Sequence, residues 1–301
     1  MSARRLSRVG VVTLLAAVLV GCSLIGIAYS NADQWLLYQA GHYLDLRDGQ
    51  REQLGKALRE RLAEHRTREL GDYVDFLDRV QRAAADGLDA AEVEPLVTRL
   101  EGLVRTTVAG TLPAIADVLA KLQPDQIDHL KAALEEDDRR YRKGSVQPTA
   151  QRRTERQVKT AVGALEFWTG DLSEAQRARV VALVRTWPDV AGEWHAYRTA
   201  RTAGLVELLR GRPGSAAIQR YLASRWLAHD GRSDALAAGA TALRRGIVDL
   251  IVAVDGSLTA GQRAAFLKRV RGYRDELAAQ LPARGPAMAD ARAVEAAGAA
   301  H

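Results

Sequence analysis

The stretch that decides the fold is DGQREQLGKALRERLAEHRTRELGDYVDFLDRVQRAAA, residues 48–85. Leu54, Leu58, Leu62, His65, Leu70, Tyr73, Leu77, Val80 and Ala84 recur at three- to five-residue steps. That spacing lines one face of a helix. The other face carries Arg51, Glu52, Arg59, Glu60, Arg66 and Glu69. Many of these can pair at i,i+3 or i,i+4, each pair adding about 0.2–0.5 kcal/mol. A helical segment ended by Asp86-Gly87 is expected. His65 sits on the apolar stripe and reads as a core or boundary histidine rather than a ligand or base.

The same period continues downstream. Val93 to Val104 forms one stripe, Ile115 to Leu122 a short second, and Ile127 to Leu134 a third that ends before Lys143-Gly144-Ser145. Val158 to Trp168 is helical up to Thr169-Gly170. A long segment from Ser173 towards Leu209 should break at Trp187-Pro188, because proline removes a donor and clashes with the preceding turn. Arg-Gly-Arg-Pro-Gly (210–214) is a firm stop. Ile218 to Trp226, Leu236 to Val254 and Phe266 to Leu277 complete the set, with Ser233 placed to cap the second of these. No run of β-branched residues alternates at period two in the mature chain. The expected fold is all-α, a multi-helix bundle or helical-hairpin array over residues 31–281. Residues 282–301 are Ala, Gly and Pro with little core content and read as a disordered tail.

Composition agrees. Of 301 residues, 47% are apolar but only 5% aromatic, so the core must be built from Ala, Leu and Val, which suits helices. One cysteine excludes an intrachain disulfide and any site built from several thiolates. No metal or cofactor is expected: the six histidines, at 42, 65, 129, 195, 229 and 301, are scattered. No catalytic residue can be assigned; Gly-x-Ser-x-Gly, the phosphate-binding Gly-rich loop and His-Glu-x-x-His are all absent. Glu135 to Lys143, followed by Arg152, Arg153, Arg156 and Lys159, could hold an anionic polymer; a solvated face laced with ion pairs is the preferred reading.

Residues 1–21 read as an export signal. Arg4, Arg5 and Arg8 precede an apolar run of twelve residues, Val9 to Val20. As a helix this spans about 18 Å, too short for the ~30 Å hydrocarbon core. Leu19, Val20 and Gly21 lead into Cys22 and resemble the lipobox of bacterial lipoproteins. The resemblance implies cleavage before Cys22, a diacylglycerol on its sulfur and an amide-linked acyl chain (palmitate is typical). Ser23 follows Cys22; in enteric lipoproteins Asp there favours inner-membrane retention, so the resemblance implies the outer membrane, facing the periplasm. Sec export is preferred to the twin-arginine route, which Leu6, Ser7 and Arg8 match poorly. Removing the signal leaves 40 basic against 37 acidic residues, too small a surplus to imply an anionic partner. Nucleic acid is not expected as a partner.

Residues 22–30 would be the lipidated tether. In the next segment, Trp35, Leu36, Leu37, Tyr38, Tyr43 and Leu44 admit two readings: a membrane-proximal helix with Trp and Tyr at the headgroups, or a core helix. The second is preferred.

A helix-start pattern recurs. Leu172-Ser173-Glu174-Ala175-Gln176 and Leu258-Thr259-Ala260-Gly261-Gln262 pair a hydroxyl residue with Gln three positions later. This is a capping box: Ser173 or Thr259 accepts from the third helical amide while Gln176 or Gln262 reaches back. Leu88-Asp89-Ala90-Ala91-Glu92 is an acidic version; Leu46 to Gln50 and Leu122 to Gln126 are looser copies. Their uneven spacing suits helical hairpins rather than a solenoid. The pattern resembles the Leu-Thr-x-x-Gln signature of Spy/CpxP-type periplasmic chaperones, which bind unfolded chains.

A wider resemblance covers most of the mature chain. Cys22, Tyr29, Asn31 to Asp33, Trp35, Leu36, Tyr43, Asp45, Leu46, His65-Arg66, Glu69-Leu70, Tyr73 and Trp168 to Ser173 with Gln176 are similar to uncharacterised bacterial lipoproteins of the DUF6279 type. Where those often carry Trp before His-Arg, this chain has Glu64. The resemblance implies a lipid-anchored helical envelope protein. Together these readings favour a non-enzymatic binding or scaffold module for an envelope protein or an unfolded polypeptide. The alternative is a hydrolase of peptidoglycan, which would need two carboxylates roughly 5–9 Å apart.

Overall fold

The computed structural model describes residues 31–282, and every regular element among them is helical. In chain order these are α1 (Ala32–Leu44), α2 (Asp48–Arg68), α3 (Leu70–Ala83), α4 (Ala90–Leu119), α5 (Pro124–Tyr141), α6 (Ala150–Thr169), α7 (Glu174–Val184), α8 (Ala191–Arg210), α9 (Ser215–Leu222), α10 (Asp234–Asp255) and α11 (Ala260–Ala278). The lipobox Leu19, Val20, Gly21 and Cys22, the tether, and the tail beyond residue 282 lie outside the described residues.

Several expected helices differ in extent. The segment opening at Asp48 is two helices, because the backbone turns at Glu69 (φ −118°, ψ −31°) and seats Leu70 fully in the core. The two stripes between Val93 and Leu122 are one 30-residue helix, about 45 Å long. Pro113 lies inside it and forfeits one backbone bond, but Leu103, Leu112, Ala116 and Leu119 are buried on both sides. Packing outweighs the local cost of the proline. α5 does not stop before Lys143; it widens into a π-helical turn, Arg142–Val146. The break at Trp187-Pro188 occurs as expected, between α7 and α8.

α4 runs through the middle, against α2, α3, α9 and α10. Its C-terminal half joins α5, α8 and α9 in the largest core, around Leu112, Ala116, Leu130, Leu209 and Ile218. A second core lies between α6, α7 and α10, around Val180, Val184 and Val254. α11 closes the assembly on α3 and α6, where Trp168 meets Phe266 and Tyr273 with ring centroids 6.0 and 5.4 Å apart. The loop after α3 is tied across the molecule: buried Asp255 accepts from the Leu88 amide (2.8 Å) and from Arg263 (2.9 and 3.0 Å).

The capping motifs do more than start helices. Ser173 and Thr259 accept from the amides of Gln176 and Gln262, both at 3.2 Å, and each glutamine carbonyl takes the cap amide back. The two glutamines also bond each other, Gln176 Nε2 to Gln262 Oε1 at 2.9 Å and the reverse at 3.0 Å. Their remaining N–H groups reach the opposite hairpin, Gln176 to Ser257 O and Gln262 to Asp171 O, both 2.8 Å. The looser copies do the same. Gln50 and Gln126 exchange bonds of 3.1 and 2.7 Å. Gln126 also donates to Asp45 O (2.8 Å) and Gln50 to Lys121 O (3.3 Å).

These are two copies of one arrangement. In each, two helical hairpins meet turn to turn: α1–α2 with α4–α5, and α6–α7 with α10–α11. Buried residues fall at matching offsets from the motif leucine: Leu46 and Leu54 in one, Leu172 and Val180 in the other; Val118 before Leu122, Val254 before Leu258. Leu258 alone of the four motif leucines is only partly buried.

Candidate functional site: the polar network at the α2–α3 break

The break at Glu69 gathers the most buried polar residues that tie α2, α3 and α4. Arg61 is 8% exposed and donates from Nη2 to Glu69 Oε1 at 2.5 Å and to Thr107 O at 3.3 Å. The second Glu69 oxygen accepts from Thr107 Oγ1 at 2.9 Å, and Tyr73 Oη lies 2.8 Å from that hydroxyl. His65, one turn before Glu69, lies 3.8 Å from the same carboxylate oxygen. Gly110 makes room for the passing guanidinium: a Cβ there would sit 2.6 Å from Arg61 Cζ.

The electrostatics are set by burial. Burial lowers the His65 pKa, and the Arg61 charge adds to that, against the pull of Glu69. The ring is therefore held towards its neutral form. Burial likewise raises the Tyr73 phenol. The Glu69 carboxylate spends both oxygens on Arg61 and Thr107, leaving Arg61 Nε and Nη1 buried without a hydrogen bond. The arrangement is a clamp that fixes a bend, with its acid already occupied. His65 accordingly has a boundary role, in keeping with its place on the stripe. Glu64, in place of the aromatic residue, stays at the rim and pairs with Arg68 at 2.8 Å.

A second network lies along α5, within the charged Glu135–Lys143 stretch. Tyr43 donates to Asp137, whose other oxygen takes Arg140, joining α1 to α5. Burial, followed by the Asp137 hydrogen bond, pushes the Tyr43 phenol up to about 12. Asp138 binds His195 Nε2 (3.0 Å) and Thr199 Oγ1 (2.8 Å), joining α5 to α8. Glu193 and His195 take no common partner, as expected for side chains two apart on a helix. Two of the four basic residues beyond the loop are also engaged, Arg153 with Asp189 and Arg156 with the Gly144 carbonyl. The stretch thus behaves as an ion-paired face whose inner acids are structural ties.

Sequence reasoning located Gln176 and Gln262 as caps but not as each other's partners, and it missed Gln50–Gln126 as an equivalent pair. Four copies of Leu-x-x-x-Gln were the available signal. It also missed Arg61 and Thr107, since a buried arginine is indistinguishable in sequence from its exposed neighbours Arg59 and Arg68. Among the described residues, no group of three or more His, Cys, Asp or Glu side chains could hold a metal ion, and no helix is long and apolar enough to cross a membrane.

Fold and networks define a helical-hairpin protein held by paired capping glutamines. Over residues 42–227 the chain matches the model of DUF6279, a family of unknown function, and it belongs to that family. No curated protein and no solved structure matches it. The matched span includes the Gln50–Gln126 pair, the Glu69 network and Gln176, and ends before Gln262.

Proposed function

We propose that the protein is a lipid-anchored helical binding or scaffold module of the cell envelope, held at the outer membrane through Cys22 and facing the periplasm. A chaperone-like interaction with unfolded chains is its most concrete form. The carrying observation is the way the buried acids are used. Glu69, Asp137 and Asp255 are each bound to an arginine, so these three hold helices together and are committed away from the acid–base pair that a peptidoglycan hydrolase needs; Glu276, whose carboxylate oxygens are buried without a hydrogen bond, is not so committed. What the molecule offers outward is helix surface, including Trp35, Tyr38 and Ile115, which suits capture of partner helices or extended apolar segments.

Two measurements test this reading. Acyl labelling and membrane fractionation of the wild type and Cys22→Ala should show label and outer-membrane location lost in the variant; retention of both would sink the anchor. The mature chain at equimolar ratio should suppress aggregation of a chemically unfolded client. No suppression would remove the chaperone-like form.

A further inference from the structure

α1 turns one face away from the protein. Asn31, Trp35, Tyr38 and His42 are all exposed and fall at the spacing of a single helical stripe. Trp35 is 55% and Tyr38 71% exposed, the largest exposures of any big apolar side chain described. The opposite face is spoken for: Leu37, Ala40 and Leu44 pack on Leu46, Leu54 and Val118. The helix does belong to the core, as the preferred sequence reading held, yet it leaves its two outer rings with no packing role.

The flank is basic. Arg51 lies along α1 at Gly41, where a Cβ would be 3.0 Å from its Nη2. Arg59 and Leu37 lie side by side over Gly55, at 3.4 and 3.5 Å from a Cβ there. Neither arginine forms an ion pair among the described residues, whereas Arg47, Arg61 and Arg68 nearby all do. No acidic side chain lies on the exposed stripe. We propose that this face of α1 docks on an anionic phospholipid surface, with Trp35 and Tyr38 in the headgroup layer and Arg51, on the flank, against the phosphates.

The chemistry fits. Amphipathic rings of Trp and Tyr partition to the membrane–water boundary, where the apolar body and the polar tip are both satisfied. The unpaired Arg51 on the flank of the helix adds attraction to lipid phosphate. Position fits as well, and here the inference rests on the lipid-anchor reading. Eight residues separate Cys22 from Asn31, and the nine steps between the two reach at most roughly 30 Å. An acyl anchor at Cys22 would therefore hold α1 beside the bilayer. Docking would fix the orientation of the hairpins, which a flexible tether alone would not.

The test uses the full-length protein, expressed with envelope export, purified in detergent and reconstituted into phosphatidylethanolamine/phosphatidylglycerol vesicles carrying bromine high on the acyl chains. Intact mass reports separately whether Cys22 is acylated. Of the five tryptophans only Trp35 is exposed. Bromolipid should quench part of the emission, and that component should vanish in Trp35→Phe. Arg51→Gln should weaken the quenching. Far-UV circular dichroism should be unchanged in both. The same fractional loss of emission, bromolipid against unbrominated lipid, in wild type and Trp35→Phe overturns the docking, whatever the mass shows. Quenching of Trp35 in a chain that is not acylated upholds the docking and removes the anchor.

Discussion

A glutamine amide has two donors and room for two acceptors' worth of bonding, and each of the four motif glutamines fills most of that capacity. The O/N assignment is fixed at each by the cap amide, which must meet an oxygen. Gln126 and Gln176 are 1% and 6% exposed, so truncation strands a partner amide and two backbone groups away from water. Gln176→Ala should lower the unfolding free energy by about 2–3 kcal/mol, read from urea melts. Gln262→Ala should do similarly, and the double variant should cost clearly less than the sum, by about 1 kcal/mol or more. Additive losses would mean the pair acts only as two separate caps. Acid sensitivity also belongs to single residues. Burial depresses His65, and burial together with Arg232, Arg201 and Arg105 depresses His229. With native pKa values below the ordinary ~6.5, the unfolded chain protonates first. Their contribution is then full above pH 6.5 and declines as the pH falls below it. Urea midpoints should drop between pH 7.5 and 5.5, and His65→Gln should flatten the slope. An unchanged slope would place the ring outside the network's electrostatics.

At the scale of elements, what was legible was whatever local chemistry decides. The capped starts at Ala90, Glu174 and Ala260, and the break at Trp187-Pro188, follow from side chains within four residues of each boundary. The bend at Glu69 was not legible, because its cause is Arg61 and Thr107 arriving from elsewhere in the chain. The continuity of α4 through Pro113 was hidden for the same reason: long-range packing overrides a local penalty. Gly110 shows how closely two elements are fitted. A glycine in a helix ordinarily gains about 0.8–1 kcal/mol on replacement by Ala. Here the new methyl would displace the Arg61 guanidinium from Glu69. Gly110→Ala should therefore destabilise, by about 1–3 kcal/mol, and the loss should reverse sign in an Arg61→Ala background. A stabilising Gly110→Ala in the wild type would show that Arg61 moves aside freely.

At the scale of the whole molecule, the irregular motif spacing conceals a doubled plan. The first hairpin pair is linked by α3 and the second by α8 and α9, so the repeats differ in length while the contacts match. Sequence showed the four motifs; only the fold shows that they meet in twos. The two units are joined where α11 packs on α3 and α10 on α4, and where Asp255 at the end of α10 takes the Leu88 amide in the loop after α3; none of these contacts involves a motif glutamine. A lesion in one clasp should then be felt first in its own unit. Hydrogen exchange of Gln176→Ala should show faster exchange in α6, α7, α10 and the start of α11, with α1, α2 and α5 protected nearly as in the wild type. Gln126→Ala should give the mirror result, opening α1, α2 and α5 while α6 and α7 hold. Uniform acceleration from either substitution would mean that the α3–α11 contact couples the two clasps into one cooperative unit, and that the doubling is a matter of geometry alone.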